Sequence, residues 1–237
     1  MGRRFGKQHR SPLERWWLGA SCRPALGATA LALAVWCGVA AGQLTSADLD
    51  ELRQRGEAEG WTFTVGQNPA TQRPLDALCG LAIPADWRQG ARFVGTPAKF
   101  DPPPSFDWRD LGACTPVKDQ GACGSCWAFA TTAPLESCIL IKDGVAMDLS
   151  EQWLLNCNSD GYNCEDGGWW AHDYHMDKED PCGGTGAVLE SACPYTGTDG
   201  PCGCPYPHSY LIDSWAFLDG EEWIPPVDTI KWAIMTY

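Results

Sequence analysis

The chain has little histidine, and its second half has little positive charge. Four histidines occur in 237 residues, at His9, His172, His175 and His208. From Ser105 onward, 5 basic residues stand against 21 acidic ones, within a net charge of −13. That excess argues against a nucleic-acid partner and describes an acid-tolerant, solvated surface. No Asn-x-Ser/Thr sequon occurs, so N-glycosylation is not indicated. No internal repeat occurs, and no paired CxxC…CxxC pattern. The remaining zinc arrangement would use Cys202-Gly203-Cys204 with His208 or His172 and lacks the spacing of a finger or ribbon, so no metal and no cofactor are expected.

What is present is apolar, aromatic and rich in sulfur. Hydrophobic residues make up 44% of the chain, and 13 tryptophans supply material for a core. Before residue 43 there are six basic residues and one acid, and the basic start leads into PALGATALALAVWCGVAAG at 24–42. A positive start, an apolar stretch and a small-x-small end (Ala40, Gly42) describe a signal peptide over residues 1–42, cut before Gln43. The competing reading is an uncleaved signal anchor, in which case the protein meets a membrane. Both place residues 43–237 outside the cytosol, on a secreted or endolysosomal route. Thirteen cysteines, ten of them after residue 110, fit disulfides in such a compartment.

Residues 43–104 differ in character from residues 105–237. SADLDELRQRGEAEG predicts a short amphipathic helix capped by Ser46, GWTFTV alternates as a strand does, and PLDALCGL predicts a second helix stopped by Gly80. Asp101-Pro-Pro-Pro-Ser is a stiff linker. Beyond it, FATTAPLESCILIKDG and LSEQWLLNC have helical spacing, the second with Ser150 as its cap. WWAHDYHMDKED predicts a helix, YLIDSWAFL a strand, and PVDTIKWAIMTY an amphipathic helix. Pro134 removes a backbone donor inside the first of these helices and predicts a kink there.

The chemistry concentrates in QGACGSCWAFA, residues 120–130. A cysteine attacks a carbonyl as thiolate, and the unpaired N–H groups at a helix N-terminus favour the anion. Gly121 and Gly124 punctuate a turn, so Cys126 falls in the first helical turn and Cys123 in the loop before it. Gln120 offers a side-chain amide to the oxyanion that forms on attack, with the Cys126 backbone N–H as second donor.

This stretch resembles the papain-like cysteine peptidases. FDWRD…TPVKDQG resembles the start of their mature chain, LSEQWLLNC the segment closing their helical domain, and CEDGG their Cys-x-Gly-Gly loop with one residue added. The resemblance implies an α+β fold of two domains. Residues 113–210 would form the helical left domain, and 211–237 only the beginning of the β-barrel right domain. It implies a cysteine-type endopeptidase precursor with a peptide or protein substrate, Cys126 as nucleophile and Gln120 as oxyanion donor. Gly124, Gly167 and Gly168 would face the substrate backbone, with Trp169 and Trp170 walling the P2 side chain unless they are core. Family spacing implies Cys123–Cys164 and Cys157–Cys202. We expect Cys114–Cys138 because both flank the nucleophile helix, and Cys182, Cys193 and Cys204 leave one unpaired. Residues 43–104 resemble the short cathepsin-B type of propeptide, which blocks the cleft, ahead of a peptidase domain at 105–237.

A thiolate needs a base, and the resemblance places histidine and asparagine well downstream of the nucleophile. None of the four histidines lies in the family's Asn/Asp-His-Ala context. His172, His175 and His208 are expected at the surface. The expectation is an incomplete reading of a longer peptidase, inactive as it stands. The alternative is a catalytically dead, disulfide-stapled binding module on the same fold.

Overall fold

The computed structural model describes residues 44–236 except 75–76, 96, 98–99 and 219–223. The expected export segment at 1–42 lies outside the described residues. Among those described, no helix is long and apolar enough to cross a membrane.

The first helix, α1 (Ser46–Glu59), is capped one residue earlier than the sequence suggests. Thr45 accepts the Asp48 N–H at 3.2 Å, while Asp48 accepts the Thr45 N–H at 2.7 Å. This reciprocal capping box satisfies two orphan donors at once and displaces Ser46 into the helix. Gly60 ends α1 in a left-handed conformation. The alternating GWTFTV stretch is not a strand. Trp61 and Phe63 stack on each other at 4.9 Å, and no described strand pairs with them. Of the helix expected at PLDALCGL, the described part keeps 3₁₀ structure at Ala77, whose N–H donates to the Pro74 carbonyl at 3.1 Å. Residues 79–80 run without helical structure into β1 (Leu81–Ala82) because this stretch pairs with another segment. Phe93–Val94 forms β2.

Two helices organise the body of the chain beyond residue 105. The longer, α2 (Cys126–Asp143), runs through Pro134 as one element and is closed by left-handed Gly144. The other, α3 (Glu151–Cys157), begins where the Ser150 hydroxyl accepts the Trp153 N–H. Between them lies a core in which Trp127, Ala128, Trp153, Leu154, Ala171, Tyr174 and Val188 are buried, and a smaller one holds Leu135, Ile139, Leu149 and Ala187. The helix expected over WWAHDYHMDKED shrinks to a 3₁₀ turn, Ala171–His175, which places Tyr174 and His175 in the core.

β-Structure among the described residues comprises three two-stranded pairs and an isolated antiparallel bridge between Leu149 and Leu189. β1 pairs in parallel with β3 (Gly167–Gly168), and β4 (Ala187–Val188) antiparallel with β5 (His208–Tyr210). β2 pairs in parallel with β6 (Phe217–Leu218). The run expected as one strand over 210–218 is thus divided between β5 and β6, with a bend between. The chain ends its described part in α4 (Val227–Thr236).

One buried charge cluster ties α2 to α3. Lys118 reaches Asp148 at 2.7 Å, Glu136 at 2.8 Å and Glu151 at 3.1 Å, and both glutamates are almost fully buried. Thr132 donates to Glu151 at 2.6 Å, and the Leu149 N–H to Glu136 at 2.8 Å. Burial lowers the Lys118 pKa, but its carboxylate partners outweigh that and hold it raised.

Among the described residues three disulfides are formed, Cys123–Cys164, Cys157–Cys202 and Cys182–Cys204. Cys193 is the thiol left over from the last group, buried in the core. The Cys114–Cys138 pair does not form, and both thiols are free. Helix geometry gives the reason. Glu136 is the α2 residue that faces Thr115 and Lys118, and Cys138, two residues on, is rotated by about 200° to another face.

Candidate active site

Residues 120–126 are held as a rigid loop leading into α2. The Cys123–Cys164 bond pins it to the glycine loop, and the Gly124 N–H donates to the Cys164 carbonyl at 2.8 Å. Tyr195, which the sequence did not single out, clamps both ends. Its hydroxyl donates to the Gln120 carbonyl at 2.7 Å and lies 2.6 Å from the Ser125 hydroxyl. Only tertiary proximity across 75 residues could reveal that role. Cys126 is the first residue of α2, half-buried, with a free thiol.

Gly167 and Gly168 form the facing wall. Their φ angles are +146° and +81°, conformations that L side chains rarely adopt. A Cβ on Gly168 would meet the Trp127 side chain at 2.3 Å. Trp127 in turn donates its indole N–H to the Asn163 carbonyl at 3.2 Å. The glycines are there because backbone must pass directly over the tryptophan next to Cys126.

An open cavity of about 370 Å³ lies on this wall, lined by Cys126, Trp127, Thr131, Trp169, His172, Trp215 and Phe217 among others. Its surface is mainly apolar and aromatic. Trp169 stacks on Phe217 at 5.3 Å, and Trp170 packs against Trp215 at 5.6 Å. The structure therefore brings Gln120, Gly124, Cys126, Gly167, Gly168 and Trp169 to one cleft, with Trp170 behind its aromatic rim.

The cleft is already occupied by residues from the N-terminal segment. Leu81 pairs with Gly167 and Ala82 with Gly168. A Cβ on Gly80 would fall 1.8 Å from the Gly124 carbonyl, so only glycine passes there. The Gln120 side-chain amide donates to the Cys123 carbonyl at 2.9 Å and lies 3.4 Å from the carbonyls of Ala77 and Leu78. Trp87 packs on Trp169 at 5.2 Å and on Phe217 at 4.8 Å. Arg73 grips Asp119 with two hydrogen bonds, 2.8 and 3.1 Å, which hold that carboxyl down at about 2.

The histidines are not where the sequence placed them, since none of the three is a simple surface residue. His175 is 1% exposed, with neither ring nitrogen hydrogen-bonded. Burial, with His172 nearby, pushes its pKa to about 3. His172 lines the cleft cavity against Trp215, and burial lowers its pKa too. His208 bonds the Gly186 carbonyl at 2.7 Å. Among the described residues, no histidine hydrogen-bonds Cys126.

Residues 102–217 match the sequence profile of the papain family cysteine proteases. This segment is homologous to the papain family. The chain is 43% identical over 123 residues to zingipain-1 of Zingiber officinale, covering 51% of this chain and 52% of that protein. It is 44% identical over 160 residues to digestive cysteine proteinase 2 of Homarus americanus, covering 65% and 48%. Among solved structures it is similar to digestive procathepsin L2 proteinase from the larval midgut of Tenebrio molitor, with a TM-score of 0.54 and 32% identity, covering 65% of this chain and 52% of that one. A recombinant stem bromelain precursor gives the same TM-score at 30% identity, covering 72% and 54%. The chain thus spans about half the length of these relatives. Its architecture is a papain-like mixture of helix and sheet, with the sheet region incompletely formed.

Proposed function

We propose that this chain is the precursor of a cysteine-type endopeptidase, carried to a secreted or endolysosomal compartment by residues 1–42. Residues 43–104 are its propeptide, of the short cathepsin-B type. The Cys126 thiolate attacks the scissile carbonyl. Gln120 and the Cys126 backbone N–H hold the oxyanion while an acyl-enzyme forms and water releases it. The β3 glycines align the peptide backbone, and the aromatic cavity beside Trp169 takes an apolar P2 side chain.

One observation carries this reading. Residues 77–82 run along the residues assigned to substrate, past Gln120 and Gly124 and onto Gly167 and Gly168. A peptide segment in that position marks a peptide-binding cleft and explains how it is kept closed.

A second observation favours a further reading, and for the described residues it is the stronger one. No described histidine pairs with Cys126, so these residues by themselves bind peptide without cleaving it. Alkylation of Cys126 separates the two readings once residues 43–104 have been cut and washed away. A silent module reacts with iodoacetamide at a rate that falls steadily as pH drops below about 8.5, as for an ordinary thiol. A paired thiolate stays reactive far below that pH and hydrolyses a fluorogenic peptide with an apolar P2 residue.

A further inference from the structure

Away from the cleft, the loop carrying the Cys182–Cys204 disulfide gathers an unusual set of side chains. A carboxylate oxygen of Asp180 and the sulfurs of Cys182 and Cys204 all lie within 4.8 Å of one another. His208 Nε2 stands 3.5 Å from Asp180 Oδ2 but farther than 4.8 Å from at least one of the sulfurs. Ligand atoms around a tetrahedral zinc ion, bonded at about 2.0–2.3 Å, stand roughly 3.3–3.8 Å apart. Two sulfurs, one imidazole and one carboxylate is a donor set zinc accepts.

The two non-sulfur groups are held in place. Asp180 Oδ1 accepts the N–H groups of Cys182 at 2.9 Å and Gly184 at 3.0 Å, leaving Oδ2 toward His208 and, at 3.4 Å, the Trp153 indole. The Asp180 side chain is 1% exposed. His208 Nδ1 lies 2.7 Å from the Gly186 carbonyl, which can only accept. The Gly186 carbonyl thus takes the Nδ1 proton, as the outer partner of a metal-bound histidine does, and Nε2 is the ring nitrogen turned toward the aspartate.

In this structure the two sulfurs are bonded to each other. Cys182 is exposed, whereas each of the other two disulfides joins a buried cysteine, Cys123 or Cys157, to a half-buried one, Cys164 or Cys202. A small thiol therefore reaches the Cys182–Cys204 bond first.

We propose that Asp180, Cys182, Cys204 and His208 form a redox-gated zinc site, closed as a disulfide and open to Zn²⁺ when reduced. Two molecules of a thiol such as glutathione cleave the bond, giving two cysteine thiols and glutathione disulfide. Zinc then displaces the two thiol protons, and any proton on His208 Nε2, and binds two thiolates, the Asp180 carboxylate and that nitrogen. The ion replaces the lost crosslink, so the 180–208 loop stays closed under reducing conditions.

The test uses the full chain, with Zn²⁺ and Co²⁺ as probes. After mild glutathione reduction it gains one metal equivalent over the oxidised chain, and Co²⁺ shows thiolate charge-transfer bands with intense tetrahedral d–d bands. Cys182→Ser loses that equivalent. His208→Ala and Asp180→Asn keep both sulfurs and lower the affinity by roughly tenfold or more, measured by competition with a chromogenic chelator. The free thiols at Cys79, Cys114, Cys126, Cys138 and Cys193 are common to all these proteins and cancel. Equal metal binding by the reduced chain and by His208→Ala and Asp180→Asn overturns the proposal, as does an equivalent that survives Cys182→Ser.

Discussion

His175 should make this fold weaken in acid, and replacing it should remove most of that weakness. Its ring lies 6.0 Å from that of Trp153 and nearly parallel to it, at 9°, and neither nitrogen has a partner. Burial first, and His172 second, hold its pKa at about 3 instead of 6.5. The unfolded chain therefore binds a proton between those two values that the folded chain refuses. Because the unfolded state binds more protons there, stability rises with pH across this window. The contribution is complete above about 6.5 and is lost progressively as pH falls toward 3. From pH 7 to pH 5 the loss is about 2 kcal/mol at 1.36 kcal/mol per unit. For a chain of this size that lowers Tm by about 4–8 °C. His175→Phe keeps a flat ring against Trp153 and removes the titrating group. It also removes buried nitrogens that cost about 1–3 kcal/mol when unpaired. Thermal melts of both proteins at pH 7, 6 and 5 give the comparison. The variant's Tm should fall less than that of the parent by about the amount above, and other titrating groups cancel in the difference. Parallel Tm curves would refute the argument that His175 is buried and neutral.

Two further perturbations test the packing around the site. Lys118→Ala leaves Glu136 and Glu151 buried without a cation, and breaking such a pair costs about 3–5 kcal/mol; because Lys118 is 25% exposed, the lower end is expected in urea unfolding. Trp87→Ala removes the ring seated on Trp169 and Phe217, a loss of about 3–5 kcal/mol for a buried tryptophan. Under the proposed propeptide role it should speed alkylation of Cys126 in the uncut chain, and an unchanged rate would remove Trp87 from the docking surface.

What the sequence determined by itself was local. Ser150 caps α3, Gly144 stops α2 and Cys126 opens α2, because capping chemistry and helix periodicity act within a few residues. The Gln120–Cys126 stretch was legible for the same reason, since a turn leading into a helix start places a thiol against free N–H groups whatever surrounds it. Segments without such a local signature were decided elsewhere. Trp61–Phe63 has the alternation of a strand but finds no partner strand among the described residues. PLDALCGL has helical spacing, yet its later residues are drawn out along the Gly167–Gly168 wall. Cys138 turned away from Cys114 because a helix fixes which face each residue occupies. Tyr195 reached the nucleophile loop from 75 residues away, and His175 passed from expected surface into the core when its helix shortened to a 3₁₀ turn. Pairing, burial and the meeting of distant side chains depend on which segments pack together, and only the tertiary structure decides that.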